Sequence, residues 1–200
     1  MKEKINQFIG DYKHKLSQII EKTSTEDLTR MILLIHEAFK SNKTLFICGN
    51  GGAAASSLHM QADLAFYIRH VTTFRPKIVN LVSNTSLITA ISNDISYEEV
   101  FVEQLKGVSN EGDILLSMSA SGESENLIRA TNYANSHGMK SISIVGFSGG
   151  RLKTISDTVV HTECKQGDYG FAEDMHLIVS HILVNGLISS GLIQNISPQK

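Results

Sequence analysis

From Thr44 onward, short apolar runs alternate with segments of helical periodicity. Parallel strands buried on both faces and joined by crossover helices produce this alternation, whereas antiparallel strands need only tight turns. The sequence therefore predicts an α/β fold, a parallel sheet with helices on both faces. The apolar runs are TLFICG (44–49), KIVNLVS (77–83), DILLSMS (113–119), SISIVGF (141–147) and DTVVHTE (157–163).

Residues 1–42 precede the first of these runs and carry a different pattern. Apolar residues at spacings of three and four predict two amphipathic helices, separated by a break at which Ser24 or Thr25 can cap the second helix. Because both helices come before the first strand, they cannot belong to a β-α-β unit. We expect residues 1–42 to be a helical extension of the same unit that serves oligomerisation, and residues 43–200 to form the single domain.

Composition excludes several classes of protein. The chain has 18 Lys and Arg against 20 Asp and Glu, a formal charge of −2, so no basic surface for nucleic acid or an anionic membrane is expected. Cys48 and Cys164 are too few for a disulfide framework or a four-thiolate zinc site. The start of the chain lacks the apolar core of a secretory signal. We therefore expect a cytoplasmic protein with neither a nucleic-acid nor a membrane partner.

An uncharged segment from Met175 to Gln199 is long enough to span a bilayer. Polar residues recur along it every four or five positions, which on a helix gives one polar stripe on an apolar cylinder. Because histidines and amides are costly at membrane depth, we predict a helix buried in protein whose stripe faces a specific feature. The stripe comprises His176, Ser180, His181, Asn185, Ser189, Ser190, Gln194 and Asn195.

Parallel sheets bind ligands beyond the carboxyl ends of their strands, and the first such place is the turn GNGG at residues 49–52. Its glycines allow a tight turn and bring backbone N–H groups close to an anion or a sugar oxygen. With Ala54 the turn also fits a dinucleotide fingerprint, but residues 83–86 after the next strand hold no carboxylate for the ribose. A purely structural tight turn is the remaining alternative.

Two further polar segments are candidate binding sites. Ser119, Ser121 and Ser124 lie between a predicted strand and a predicted helix, where three hydroxyls and the free N–H groups of the helix start could cradle a phosphate. The alternative is one capping serine in a polar loop, and the sequence lacks the ending of a P-loop. Asn93 and Asp94, after another helix, could hold sugar hydroxyls or simply end that helix.

Four polar residues on two predicted helices form the last candidate site. His59 and Asp63 are four apart and share a helix face, and Glu173 and His181, eight apart, lie within about 80° of each other. Together they could surround a divalent metal such as zinc, or supply an acid and a base for moving a proton beside a carbonyl. Alternatively, the histidines are ordinary core or surface residues. The neighbouring residues expected to have no functional role are Asp174 and His176.

Taken together, these motifs resemble those of the sugar isomerase (SIS) domain family, most closely its phosphoheptose isomerases. They are GNGG followed by His59, Asn93-Asp94, the SxSGxSxN loop from Ser119 to Asn126, and the late EDMHLxxxH helix. The resemblance implies a five-stranded parallel sheet and a homotetramer with sites between subunits. It also implies conversion of sedoheptulose 7-phosphate to D-glycero-D-manno-heptose 7-phosphate, the first step toward heptose for lipopolysaccharide or capsule.

The resemblance further implies roles for individual residues around a sugar phosphate and one Zn²⁺ per site. Asp63 and His181 would be the acid/base pair that moves a proton between C1 and C2 through an enediol. Substrate would be held by Asn50, Gly51, Gly52, Asn93 and Asp94, and its phosphate by Ser119, Ser121 and Ser124. The metal ligands would be His59, Asp63, Glu173 and His181.

At four positions the chain departs from the pattern of the family. Asp63 replaces a glutamate and is one methylene shorter, which could withdraw a base by more than an ångström. Glu173 replaces a glutamine, while Ala53 and Ala120 replace a serine and a threonine. One hypothesis from this exchange of carboxylates is that Glu173 has become the general base.

These departures keep a rival function open. Asp63, Ala53 and Ala120 favour a non-catalytic SIS protein that binds phosphosugars or has a regulatory or interaction role, whereas the retained His59 and His181 favour the isomerase. A nucleotide-binding flavodoxin-like protein is a third possibility. In each case the apolar faces of the terminal helices exceed what one sheet can cover, so a dimer or tetramer is expected.

Overall fold

The structure is a computed structural model and describes residues 1–194. Five strands form one sheet in the order β2-β1-β3-β4-β5, and every neighbouring pair is parallel. The predicted α/β fold with a five-stranded parallel sheet is therefore confirmed. The strands are β1 (Thr44–Gly49), β2 (Lys77–Asn80), β3 (Ile114–Ser119), β4 (Lys140–Val145) and β5 (Thr158–His161).

Helices cover both faces of the sheet. Residues 97–108 do not form one continuous helix: a 3₁₀ turn at Tyr97–Glu99 is followed by a helix that begins only at Val102. A π-helix, Asp63–Tyr67, follows the helix that begins at Gly52, and neither this π-helix nor the short helix Leu152–Ile155 was predicted. The helices are α1 (Lys2–Lys22), α2 (Thr25–Lys40), α3 (Gly52–Ala62), α4 (Ile68–Val71), α5 (Thr85–Asp94), α6 (Val102–Val108), α7 (Glu125–Ser136), α8 (Leu152–Ile155) and α9 (Tyr169–Ser189).

Alternate residues of the central strands point to opposite faces and divide the core into two clusters. Leu45 and Ile47 of β1 pack with apolar residues of α2, α3 and α9. Phe46 and Cys48 pack on the other face with residues of α5, α6, α7 and α8. Strands buried on both faces read as continuous apolar runs, which is why sequence alone located them.

The two leading helices pack on the same core as the sheet. Met31 and Ile35 of α2 are fully buried in the cluster that also contains Leu45. The Ser24 hydroxyl accepts a hydrogen bond of 3.1 Å from the backbone N–H of Asp27, so Ser24 is the cap of α2. The division of the chain at residues 42 and 43 stays a prediction.

The uncharged late segment forms α9, which by length and composition alone could cross a membrane. Half of the most apolar 18-residue stretch of this helix is buried inside the protein. Met175, Val179 and Leu183 belong to the core. We therefore interpret α9 as a core helix. It ends at Ser189, and Asn195, which was predicted to continue its stripe, lies outside the described residues.

Candidate active site

The carboxyl ends of β1 and β3 lie side by side at the centre of the sheet, where Gly49 pairs with Met118. The chain leaves β1 toward β2 on one side, whereas β3 begins the other half of the sheet, so this is the switch point at which open parallel sheets bind ligands. A cavity of about 290 Å³ opens there. It is lined by the glycine turn, the serine loop and the start of α9.

The glycine turn brings a helix start close to a carboxylate. Gly51 has a φ of +56°, a left-handed conformation that favours glycine. A Cβ on Gly52 would lie 2.1 Å from Oε1 of Glu173, so the absence of a side chain at Gly52 lets this carboxylate rest on the first turn of α3. The positive end of the α3 dipole favours a negative charge at that place.

Serine hydroxyls and the start of α7 form the opposite wall of the cavity. The Ser119 hydroxyl accepts from the Gly122 N–H (3.0 Å) and the Ser121 hydroxyl accepts from the Glu123 N–H (3.2 Å). Both hydroxyls therefore keep their own O–H to donate. Ser124 is the N-cap of α7, and its side chain makes no capping hydrogen bond. The wall thus offers hydroxyl donors and a helix start to an anion.

The charged residues near this loop pair with one another and do not line the cavity. Glu123 and Glu125 both pair with Arg151, at 2.8 Å and 3.0 Å. Hydrogen bonding from Arg151 lowers the pKa of Glu123. Among the residues that line the cavity, Glu173 alone carries a formal charge, and no lysine or arginine takes part. An anion bound here would therefore be held by hydroxyls and backbone dipoles.

A second group of polar residues joins α3 to α9. Nε2 of His59 lies 3.0 Å from Nε2 of His181, and Oδ2 of Asp63 lies 3.3 Å and 3.8 Å from these two nitrogens. Gly52 meets Glu173 near the start of both helices, and His59 meets His181 further along. The two helices therefore run side by side in the same direction, with the cavity at their first turns and the histidine–aspartate group beyond it.

The three side chains have the spacing of a metal site. Their ligand atoms all lie within 4.8 Å of one another. Nitrogen and oxygen ligands at about 2.0–2.1 Å from a tetrahedral ion stand about 3.3 Å apart, which is close to the three distances of this group. Two imidazoles and a carboxylate suit several divalent transition metals. The group is therefore compatible with a metal ion, and its geometry does not single out zinc.

Glu173 does not join this group. It precedes His181 by eight residues, about 12 Å of helix rise, and its carboxylate rests on Gly52. The small angle between Glu173 and His181 around the helix suggested proximity, but the Glu173 carboxylate lies at Gly52 and not with the other three side chains. Its assignment as a fourth metal ligand stays a prediction.

Asp174 and His176, which were expected to have no functional role, have different surroundings. His176 is fully buried in the wall of the cavity, and burial lowers its pKa to about 4, so its imidazole is neutral near pH 7. Asp174 instead accepts a hydrogen bond from the Tyr12 hydroxyl, which raises the pKa of Tyr12 to about 12. Asp174 therefore ties α1 to α9, while His176 belongs to the candidate site.

The remaining predicted residues are distributed as follows. Asn50, Gly51 and Gly52 line the cavity. Asn93 and Asp94 do not line it; they are the last two residues of α5 rather than a turn after it, and the Asn93 amide donates to Asp94 Oδ1 at 2.7 Å. Sequence reasoning missed Tyr97, Asn126 and Tyr169. Of these, Asn126 had a signal, as the asparagine of the SxSGxSxN loop.

A parallel α/β sheet with a serine-lined cavity at its switch point and a histidine–aspartate group alongside is the arrangement expected of a SIS domain. The comparisons with known proteins agree with this class. The sequence model of the SIS domain matches residues 7–146. The chain belongs to the SIS domain family and, within it, to the phosphoheptose isomerases.

Relatives and solved structures support this membership. The phosphoheptose isomerase of a Nitratiruptor species is 35% identical over 183 residues, covering 92% of this chain and 96% of the relative. That of Helicobacter pylori is 34% identical over 179 residues, covering 86% and 88%. The structure of the phosphoheptose isomerase from Neisseria gonorrhoeae is similar with a TM-score of 0.83 and 26% identity, covering 94% of this chain and 98% of that one.

Proposed function

We propose that the chain is an aldose–ketose isomerase that converts sedoheptulose 7-phosphate to D-glycero-D-manno-heptose 7-phosphate, for heptose supply to lipopolysaccharide or capsule. The observation that carries the proposal is the position of a serine-lined anion cavity next to His59, Asp63 and His181 on two parallel helices. The 35% identity to a phosphoheptose isomerase over nearly the whole chain supports the choice of substrate.

In this proposal the phosphate occupies the hydroxyl-lined end of the cavity. Ser119, Ser121 and Ser124 donate their O–H groups to it, and the start of α7 adds its N–H groups and dipole. Gly51 and Gly52 let the backbone approach the sugar, and Asn50 donates to one of its oxygens. Asn93 and Asp94 would take part only if a neighbouring subunit brought its own α5 to the site.

Asp63 and His181 would then move the protons of the isomerisation. One of the pair removes a proton from C1, and the bonding electrons form the C1–C2 double bond of an enediol as the C2 oxygen gains a proton. Return of a proton to C2, with loss of the O1 proton, gives the aldehyde. Oδ2 of Asp63 and Nε2 of His181 are 3.8 Å apart, so both can face the same two carbons.

A metal ion fits beside these groups, and we propose one Zn²⁺ per site. His59, Asp63 and His181 would hold it, with Glu173 proposed as a further ligand. Bound there, a divalent ion would polarise the oxygens of the substrate as a Lewis acid.

The identity of the general base is decided by Glu173→Gln. Asp63 lies with His181, whereas the Glu173 carboxylate rests on Gly52, so we expect turnover to persist in the variant. Loss of turnover with unchanged binding of sedoheptulose 7-phosphate would instead assign the base to Glu173.

We also propose a cytoplasmic homotetramer. Ile5, Phe8 and Ile9 on α1 and Phe66 and Tyr67 after α3 are exposed apolar side chains, which an assembly would cover. His59 and His181 are half-exposed, and a neighbouring subunit would close the site over them. Sedimentation of the protein at the mass of one 21.9 kDa chain would contradict the assembly.

A non-catalytic phosphosugar-binding or regulatory role is the second candidate function. Ala53 and Ala120 place methyl groups in the cavity wall where hydroxyls would strengthen contacts to a substrate, and Asp63 is a short base. This role predicts ligand binding without chemistry.

The deciding experiment is incubation of the purified protein with sedoheptulose 7-phosphate, with and without added zinc, followed by analysis of the heptose phosphates. The isomerase predicts the aldose product in at least one condition. No product in either, with thermal stabilisation by the ligand, would support the binding protein instead.

A further inference from the structure

The side chain of Asn50 is held by a chain of hydrogen bonds that involves Asn126 and Tyr97. Nδ2 of Asn50 donates to Oδ1 of Asn126 at 2.9 Å, and Nδ2 of Asn126 donates back to Oδ1 of Asn50 at 3.0 Å. The Tyr97 hydroxyl donates to the same Asn50 oxygen at 2.8 Å. The backbone N–H of Leu127 donates to Oδ1 of Asn126 at 3.0 Å.

The hydrogen bond from the Leu127 N–H fixes the donor and acceptor roles in all the other hydrogen bonds of this group. A backbone N–H can only donate, so the atom of Asn126 that faces Leu127 must be its oxygen. Asn50 must then present its nitrogen to that oxygen and its own oxygen to the Asn126 nitrogen. The Tyr97 hydroxyl adds a second donor to the Asn50 oxygen, so both lone pairs of that oxygen are occupied.

Asn50 consequently has one hydrogen-bonding group left for a ligand, the second hydrogen of Nδ2. An amide that could turn over would offer either a donor or an acceptor, but this amide can offer only a donor. Asn50 lines the cavity and directly follows β1. A ligand that bonds to this N–H must therefore offer it an oxygen acceptor, such as a carbonyl or a developing enediol oxygen.

We propose that Tyr97 is a positioning residue, whose hydroxyl holds the Asn50 amide as a donor toward an oxygen of the bound sugar. The inference rests on the proposed function and deepens it. Tyr97 is 51% exposed and belongs to a short 3₁₀ turn, so its ring adds little to the core. Its hydroxyl joins the segment after α5 to the loop after β1, and Asn126 joins that loop to α7 after β3.

The test is a double-mutant cycle on the dissociation constant of sedoheptulose 7-phosphate, measured by calorimetry. Tyr97→Phe removes only the hydroxyl and should weaken binding about fivefold or more, the size of one hydrogen bond. Asn50→Ala should weaken it further. Because Tyr97 acts through Asn50, adding Tyr97→Phe to Asn50→Ala should cost nothing more. The matched control is Tyr133→Phe, at a tyrosine that stacks on His137 and does not line the cavity, and it should leave binding unchanged.

Two outcomes of the cycle would overturn the proposal: wild-type affinity in Tyr97→Phe, or equal losses from Tyr97→Phe with and without Asn50. If Tyr97→Phe also lowers the melting temperature, the side-chain NH₂ resonances of Asn50 decide, because they should shift in that variant and unchanged resonances would overturn the hydrogen-bond chain. Failure of the proposed function would give a result different from either of these outcomes. A wild-type protein that binds the ketose without turnover contradicts the isomerase and leaves the cycle intact.

Discussion

The two ends of the candidate site are built in different ways. The anion cavity is built mainly on the backbone of strand ends and helix starts, with Gly52 leaving no room for a Cβ and backbone N–H groups holding the hydroxyls of Ser119 and Ser121. The histidine–aspartate group is made of side chains on the flanks of two helices, with His59 and His181 about half exposed (48% and 51%). The comparison suggests that the binding end is set by the fold, whereas the reactive end depends on a few exchangeable groups.

The largest effect should follow from removing a reactive group. His181→Ala removes one of the two proposed proton carriers, so turnover of sedoheptulose 7-phosphate should fall by about 10²–10⁴-fold. Since the side chain is half exposed, the free energy of unfolding should change by no more than about 0.5 kcal/mol. Steady-state kinetics and urea unfolding measure both quantities, with His137→Ala at the end of α7 as the control. A large loss of stability would contradict the view that the reactive end consists of side chains that the fold does not need.

The next effect concerns His176 in the cavity wall. Its pKa is about 4 in the folded protein and near 6.5 when unfolded, so between these values the unfolded chain binds a proton that the folded protein does not. Stability should therefore fall as the pH falls from 6.5 to 4, by up to about 3 kcal/mol from this residue. Urea unfolding at pH 7 and pH 5 should show a smaller pH dependence in His176→Gln. An identical pH dependence in the wild-type protein and in His176→Gln would contradict the burial of His176 in the cavity wall.

A third effect compares the stability cost of adding a side chain at two glycines with positive φ, one closely packed and one open. Gly122 has a φ of +69°, and a Cβ there would lie 1.9 Å from the backbone oxygen of Gly149. Gly122→Ala should therefore cost more than about 2 kcal/mol of stability and weaken phosphate binding with it. Gly51→Ala is the matched control, with a φ of +56° but nothing within 4 Å of the added Cβ. It should cost about 1 kcal/mol. Equal costs in urea unfolding would contradict the close packing of the serine loop.

The smallest effect is the loss of one hydroxyl from the cavity. Ser124→Ala should weaken the binding of sedoheptulose 7-phosphate about fivefold, because one hydrogen bond to the phosphate is lost. Stability should hardly change, since the hydroxyl makes no capping bond. Ser136→Ala, at the other end of α7, is the control for calorimetry. Unaltered affinity in Ser124→Ala would mean that the phosphate does not bind at the start of α7.

Sequence predicted the sheet well, because its strands are buried on both faces and read as apolar runs. It also predicted the approach of His59 to His181, which are 122 residues apart, first as one possibility for the polar residues of two helices and then through the resemblance to a family. The angle around α9 suggested that Glu173 joins them, whereas in the structure its carboxylate lies at Gly52. Angular position on a helix wheel carries no information about the rise along the helix axis.

The hydrogen bonds of the cavity had no local signal in the sequence. Tyr97 and Asn50 are 47 residues apart, and their contact follows from how the loops after β1 and α5 meet. The π-helix that begins at Asp63 and the full burial of His176 likewise had no signal in the local sequence. Such features depend on tertiary contacts and not on propensity or periodicity.

The most direct test of a single ligand spanning both ends of the site is a crystal structure with sedoheptulose 7-phosphate bound. We predict the phosphate at Ser119, Ser121 and Ser124, with C1 and C2 next to Asp63 and His181. A phosphate bound elsewhere, or carbons C1 and C2 directed away from His181, would contradict the proposed isomerase.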